Sequence, residues 1–314
     1  MATSSNPATG PAWLDTRIGT GATVLLDGGT GTELERRGVP MNQRAWCGDA
    51  MFGHADVLRG IHEDYIRVGA QVITTNTFAT ARHTLEPAGF GADVERANRR
   101  AVEIAREART RAAAGEVAIA GSVSDFMLFD ADRSWLADDR LRATYREQTQ
   151  ILAEAGVDLI ALEMMQAPEI AVVAIEAALE TGLAVWVGCS CRRSRGSETL
   201  GLFNFPDRDF RELLEAILEY PVGVIGIMHS EIPDMVPGIE AVRERWSGPI
   251  AAYPESGYFT LPNWHFVDII SPRDLVEEAR GWQGLGVQII GGCCGIGPEH
   301  IAALRAALVE TPQR

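Results

Sequence analysis

The sequence is short of positive charge. Its 28 Lys and Arg residues face 43 Asp and Glu, giving a formal net charge of -15 and a pI near 4.9. No Lys/Arg cluster rises against that background, so phosphate backbones and anionic lipid would be repelled, and neither nucleic acid nor membrane is expected as a partner. Long apolar runs are missing too, and no segment has the length and apolarity of a membrane span. The first twenty residues have neither the charged start nor the apolar run of a secretory signal. A cytoplasmic protein with residues 1–20 as a flexible N-terminal arm is the expectation. Cysteines number only five, Cys47, Cys189, Cys191, Cys293 and Cys294. An odd set in a chain without export signals argues against a disulfide framework and for metal or catalytic thiol chemistry. Absent as well is a dinucleotide fingerprint, since Gly28-Gly29-Thr30-Gly31-Thr32 lacks the GxGxxG spacing.

What is present is a repeated alternation of short apolar, β-branched runs with longer stretches of helical periodicity, the pattern of parallel strands with crossover helices. Eight runs read as strands: Thr23–Asp27, Gln71–Thr75, Glu116–Ser122, Val157–Glu163, Ala184–Ser190, Gly223–Met228, Pro249–Tyr253 and Gly286–Gly291. Between them Asp93–Ala114, Leu141–Gly156, Pro168–Glu180, Asp207–Leu218 and Pro298–Val309 place apolar residues three and four apart. Eight such units without a linker predict an α/β fold, a single-domain (β/α)8 barrel of TIM type over residues 21–314.

Such barrels work at the C-terminal mouth, so polar residues ending strands are the first candidates. Here they are Asp27, Asn76, Ser122, Glu163, Cys189 or Ser190, His229, Tyr253 and the pair Cys293 and Cys294. Any one alone reads as ordinary strand termination or capping; eight together point to a site. Neighbouring strand residues face opposite ways, so Cys293 and Cys294 can reach one ion only where the backbone turns sharply, which Gly291, Gly292 and Gly295 permit. Two thiolates need a third protein ligand to leave one open position on zinc. His229, ending the sixth strand, is the leading candidate; Cys189 or Cys191 is the reserve.

The ordered set Leu26-Asp27-Gly28-Gly29-Thr30-Gly31-Thr32-Glu33-Leu34, Ala45-Trp46-Cys47, Ile73-Thr74-Thr75-Asn76-Thr77-Phe78, Leu162-Glu163, Tyr253-Pro254-Glu255-Ser256-Gly257 and Gly291-Gly292-Cys293-Cys294-Gly295 resembles the homocysteine S-methyltransferase family, from about Thr23 to Leu308. The resemblance implies a zinc ion on Cys293, Cys294 and a sixth-strand ligand, where His229 stands in place of the family's usual cysteine. It implies that Asp27 and Glu163 hold the ammonium of homocysteine, with the glycines from Gly28 onward letting backbone N–H groups approach its carboxylate. Asn76 is included in the substrate site, and Trp46 and Phe78 match aromatic positions near a donor pocket; packing of the barrel rim is the competing reading for both rings. The third strand departs from the family's Gly-Ser-x-Gly-Pro-Tyr, reading Gly121-Ser122-Val123-Ser124-Asp125-Phe126.

The implied activity is a zinc-dependent methyltransferase of methionine biosynthesis, moving a methyl group from a sulfonium or quaternary ammonium donor to the homocysteine thiol. S-methylmethionine, S-adenosylmethionine, betaine and sulfonium betaines are the donors to consider. Two alternatives stay open: the same metal barrel acting on another thiol or selenol acceptor or as a lyase, and a non-catalytic binding homologue. The partners are small molecules, and a homo-oligomer stays open.

Overall fold

The computed structural model describes residues 7–126, 138–194, 199–260 and 265–309. All eight expected strands form: β1 (Val24–Leu25), β2 (Val72–Thr74), β3 (Ala118–Ser124), β4 (Leu159–Met165), β5 (Val185–Cys189), β6 (Val224–Glu231), β7 (Ile250–Glu255) and β8 (Ile289–Ile290). They run parallel in the order β1-β8-β7-β6-β5-β4-β3-β2. A parallel bridge between Leu26 and Val72 joins the two ends of this order, so the sheet closes into a single-domain (β/α)8 barrel.

Strand alternation sorts the core into two parts. Val24, Leu26, Val72, Ala118, Ala120, Leu159, Trp186, Val224 and Ile289 belong to one buried cluster inside the barrel, while neighbours such as Leu25, Ile73, Ile119 and Ile160 belong to a second, under the helices. The helices follow their periodicity. In Val94–Ala112 the residues Ala97, Ala101, Ile104, Ala105 and Ala108 make the buried stripe, and Arg99 and Glu95 pair on the outside at 2.8 Å. Pro168 opens the helix Pro168–Leu179 with its preset φ, and the Asp209 side chain caps Phe210–Leu218 by accepting the Arg211 N–H.

One expectation needs correcting. The segment read as a loose arm forms a helix over Ala12–Gly19, with Leu14 and Ile18 buried in the inner cluster at the N-terminal end of the strands. Trp186 Nε1, inside the barrel, donates to Thr9 O at 2.6 Å, and the Thr9 N–H and hydroxyl both donate to Asp15 Oδ1. An open barrel end exposes the inner layer to water, and two apolar residues four apart suffice to cover it. Two antiparallel pairs not foreseen in the sequence also form, Cys191–Arg193 with Leu200–Leu202 and Tyr258–Thr260 with His265–Val267. They sit in the loops after β5 and β7, at the mouth.

Candidate active site

A cavity of about 310 Å³ opens at the C-terminal mouth, and all nine residues singled out as ligands or substrate contacts line it. Its floor is made by strand ends whose backbone is irregular. The sequence reading ends the fourth strand at Glu163 and the sixth before His229; the structure carries β4 to Met165 and β6 to Glu231. The register shifts between Leu162 and Met165 in one and between Met228 and Glu231 in the other. Within these bulges Met164 has φ 57° and His229 φ 45°, a left-handed conformation that costs a non-glycine residue about 1–2 kcal/mol. A bulge breaks the in/out alternation and re-aims a side chain, and here it brings Glu163 and His229 to the cavity.

His229, Cys293 and Cys294 form a candidate metal-binding cluster, with their possible ligand atoms all within 4.8 Å of one another. The two Sγ atoms are 3.9 Å apart. Two thiolates on one tetrahedral zinc, each at about 2.3 Å, lie roughly 3.8 Å apart, so the spacing suits one shared ion. Glu255 Oε2 lies 3.0 Å from His229 Nδ1, leaving Nε2 as the ring nitrogen for a metal. Such carboxylate–histidine pairs fix ring orientation and tautomer at metal sites. In the metal-free protein, burial opposes protonation of His229, but Glu255 and Cys293 outweigh it and raise the imidazole to about 10. The Cys294 thiol and then burial push Cys293 well above its usual value, with His229 opposing. Two thiols this close cannot both ionise without a positive charge between them, which a divalent cation supplies.

The reserve ligands Cys189 and Cys191 are buried and lie outside this cluster. Cys191 contacts Ser230 Oγ at 3.5 Å, and burial pushes its thiol up to about 12. Both behave as core thiols.

Asp27 and Glu163 make a second pole. The Thr74 N–H donates to Asp27 Oδ2 at 2.7 Å, the Thr74 hydroxyl lies 3.2 Å from the same oxygen, and the Ser122 hydroxyl donates to Glu163. Burial raises Asp27 well above the carboxylate range against the pull of the Thr74 N–H, and the Glu163 charge adds to the rise. Burial likewise lifts Glu163 to about 7, with Ser122 and His229 opposing. Two buried carboxyls this perturbed are prepared for a cation.

Asn76 bridges to the loop of Cys47, donating to its carbonyl at 2.9 Å and accepting from its Sγ at 3.2 Å. The glycines after Asp27 serve close backbone packing: a Cβ on Gly28 would meet Ile296 O at 2.2 Å, and one on Gly29 would meet Cys293 O at 2.6 Å. The Gly29 N–H is committed to Ile296 O. It is therefore withdrawn from the set of N–H groups expected to meet a substrate carboxylate. The far wall is aromatic, with Trp46 edge-on to Phe78 at 6.0 Å and Phe126 5.5 Å from Phe78. Phe126, Asp125, Gln166 and Glu255 were not singled out in the sequence, although Asp125 and Phe126 lie in the departing third-strand loop and Glu255 in a matching one.

A sequence model of the family described as Homocysteine S-methyltransferase matches residues 24–308. The chain belongs to the homocysteine S-methyltransferase family. Among homocysteine S-methyltransferase relatives, the Homocysteine S-methyltransferase of Escherichia coli (strain K12) is 29% identical, over 90% of this chain and 94% of that protein. Betaine–homocysteine S-methyltransferase 1 of Mus musculus is 28% identical, over 95% of this chain and 74% of that protein. The metallated form of the homocysteine methyltransferase MmuM from Escherichia coli superposes with a TM-score of 0.77 at 25% identity, covering 94% of this chain and 98% of its own. Among the described residues no helix is long and apolar enough to cross a membrane.

Proposed function

We propose that this chain is a methyltransferase that moves a methyl group from a sulfonium or quaternary ammonium donor to the sulfur of homocysteine, giving methionine, with zinc held by His229, Cys293 and Cys294. The observation that carries the reading is the meeting, in one cavity, of a soft three-ligand cluster with two buried carboxyls suited to an ammonium. When bound, the metal would keep the acceptor sulfur deprotonated and nucleophilic at neutral pH.

The protein's own residues do the rest. Asp27 and Glu163 take the acceptor's ammonium, each fixed by a neighbouring hydroxyl and Asp27 also by the Thr74 N–H. Glu255 holds the His229 ring. Trp46, Phe78 and Phe126 offer faces to an onium centre and keep water from it. Methyl transfer needs no general base; it needs acceptor, methyl and leaving group in line. All five cysteines are unpaired, which suits action in the reducing cytoplasm. The test is metal analysis of the purified protein together with transfer of a labelled methyl group to homocysteine from S-methylmethionine, betaine and S-adenosylmethionine. Roughly one zinc per chain and labelled methionine are expected; a metal-free protein, or one inactive with every donor, overturns the reading.

A further inference from the structure

One carboxyl in the cavity is left over by this reading. Asp125 is fully buried just past the end of β3; its Oδ1 accepts from Gln166 Nε2 at 3.0 Å, and its Oδ2 has no hydrogen-bond partner among the described residues. It adjoins Phe126 and so stands at the aromatic wall, close enough to His229 for their charges to interact. The described residues lining the cavity include no arginine, and the chain contains no lysine. Each of the other acidic groups has an answering charge. An ammonium answers Asp27 and Glu163; a metal answers the two thiols and, through His229, Glu255. Among the described residues lining the cavity, Asp125 alone is left without a charge of its own, since the His229 it senses is paired with Glu255. Burial lifts its carboxyl to about 8, opposed first by the Gln166 amide and then by His229, so the arrival of a cation would ionise it.

We propose that Asp125 is the counter-charge for the methyl donor's onium centre, with Trp46, Phe78 and Phe126 around it, so that the enzyme selects donors positively charged at the reacting end. The proposal rests on the methyl-transfer reading above. In that step the acceptor sulfur supplies the electron pair of the new carbon–sulfur bond, and the donor's sulfur or nitrogen keeps the pair of the broken one. The onium charge therefore disappears as the reaction proceeds. A fixed carboxylate stabilises the charged donor more than the transition state, in which that charge is already partly lost, so Asp125 contributes to donor binding and not to the rate of transfer.

Two measurements on the metal-loaded protein test this. The first compares binding of betaine with its tert-butyl isostere, in which carbon replaces nitrogen and the positive charge is gone, by calorimetry without turnover. The parent should prefer the cation by at least about tenfold, and Asp125→Asn should lose the preference. The second is steady-state kinetics with the donor the enzyme uses. Asp125→Asn should raise the donor KM about tenfold, with kcat held or raised and with homocysteine KM and zinc content unchanged. Equal parent affinity for the two isosteres overturns the proposal even if the variant fails to fold. So does an undiminished preference in the variant, or a loss confined to kcat. If the parent transfers from no onium donor, the methyl-transfer reading fails instead, and the isostere comparison still decides the role of Asp125.

Discussion

Glu163 binds its proton more tightly than an ordinary carboxyl, because burial lifts it from 4.5 to about 7 against the pull of Ser122. At about pH 7, roughly half of the free protein therefore carries this carboxyl neutral. An ammonium ligand needs it ionised, so binding expels the proton and affinity must fall as pH drops. One unit below the pKa only about one molecule in eleven is ionised, which weakens binding roughly tenfold, or about 1.4 kcal/mol. Methionine is the right probe, since it offers the same ammonium without a titrating thiol. Calorimetry in buffers of different protonation enthalpy should show at least about half a proton released per ligand near pH 7, that share coming from Glu163, and an affinity that rises from about pH 6 to 8. Glu163→Gln should bind more weakly at high pH, release about half a proton less per ligand near pH 7 and show a shallower slope, the remainder belonging to Asp27, whose carboxyl burial also raises. The same shift bears on stability. The folded-state pKa lies above the unfolded value, so the folded form holds more protons between about 4.5 and 7 and ligand-free stability falls as pH rises through that window. Glu163→Gln should recover at most about 3 kcal/mol at about pH 8 and almost nothing at about pH 4. A methionine affinity that is flat between about pH 6 and 8 in the parent, or an unchanged slope in Glu163→Gln, refutes the reasoning.

Three further outcomes are expected. His229→Ala should lose zinc and activity together while His229→Cys keeps zinc, measured as metal stoichiometry after dialysis; full metal in the alanine variant would remove His229 from the ligand set. Glu255→Ala should weaken zinc retention about 10–100-fold in chelator competition, because the imidazole loses the carboxylate that orients it. Leu14→Ala should cost about 2–5 kcal/mol in urea unfolding, since the side chain is fully buried under the barrel; a change below about 1 kcal/mol would mean that the N-terminal helix is dispensable for stability.

The barrel was legible because its strands are buried on both faces and so read as continuous apolar runs, and because Pro168 and Pro298 mark helix starts. The thiol pair and the two carboxyls proposed to hold an ammonium were legible because the residue types that suit metals and ammonium groups stand at strand ends. Glu255 and Asp125 were not. Glu255 is the last residue of β7 and Asp125 stands one step past β3, where only the folded backbone decides whether a carboxylate meets solvent or a neighbour. The bulges at Glu163–Met164 and His229–Ser230 were equally hidden, since an extra residue in a strand leaves no compositional mark. The helix Ala12–Gly19 was missed because a pair of apolar residues is too few to register as periodicity.

The pairing of β1 with β8 has a consequence in time. Within the barrel the first strand waits beside an empty place until the eighth has been made, so the ring closes only with β8. The strand that closes it also leads directly into Cys293 and Cys294. Before that moment His229 and Glu255 have no thiols to face; afterwards enclosure and ligand set arrive together. The step that makes the barrel whole is therefore also the step that assembles the proposed metal-ligand set.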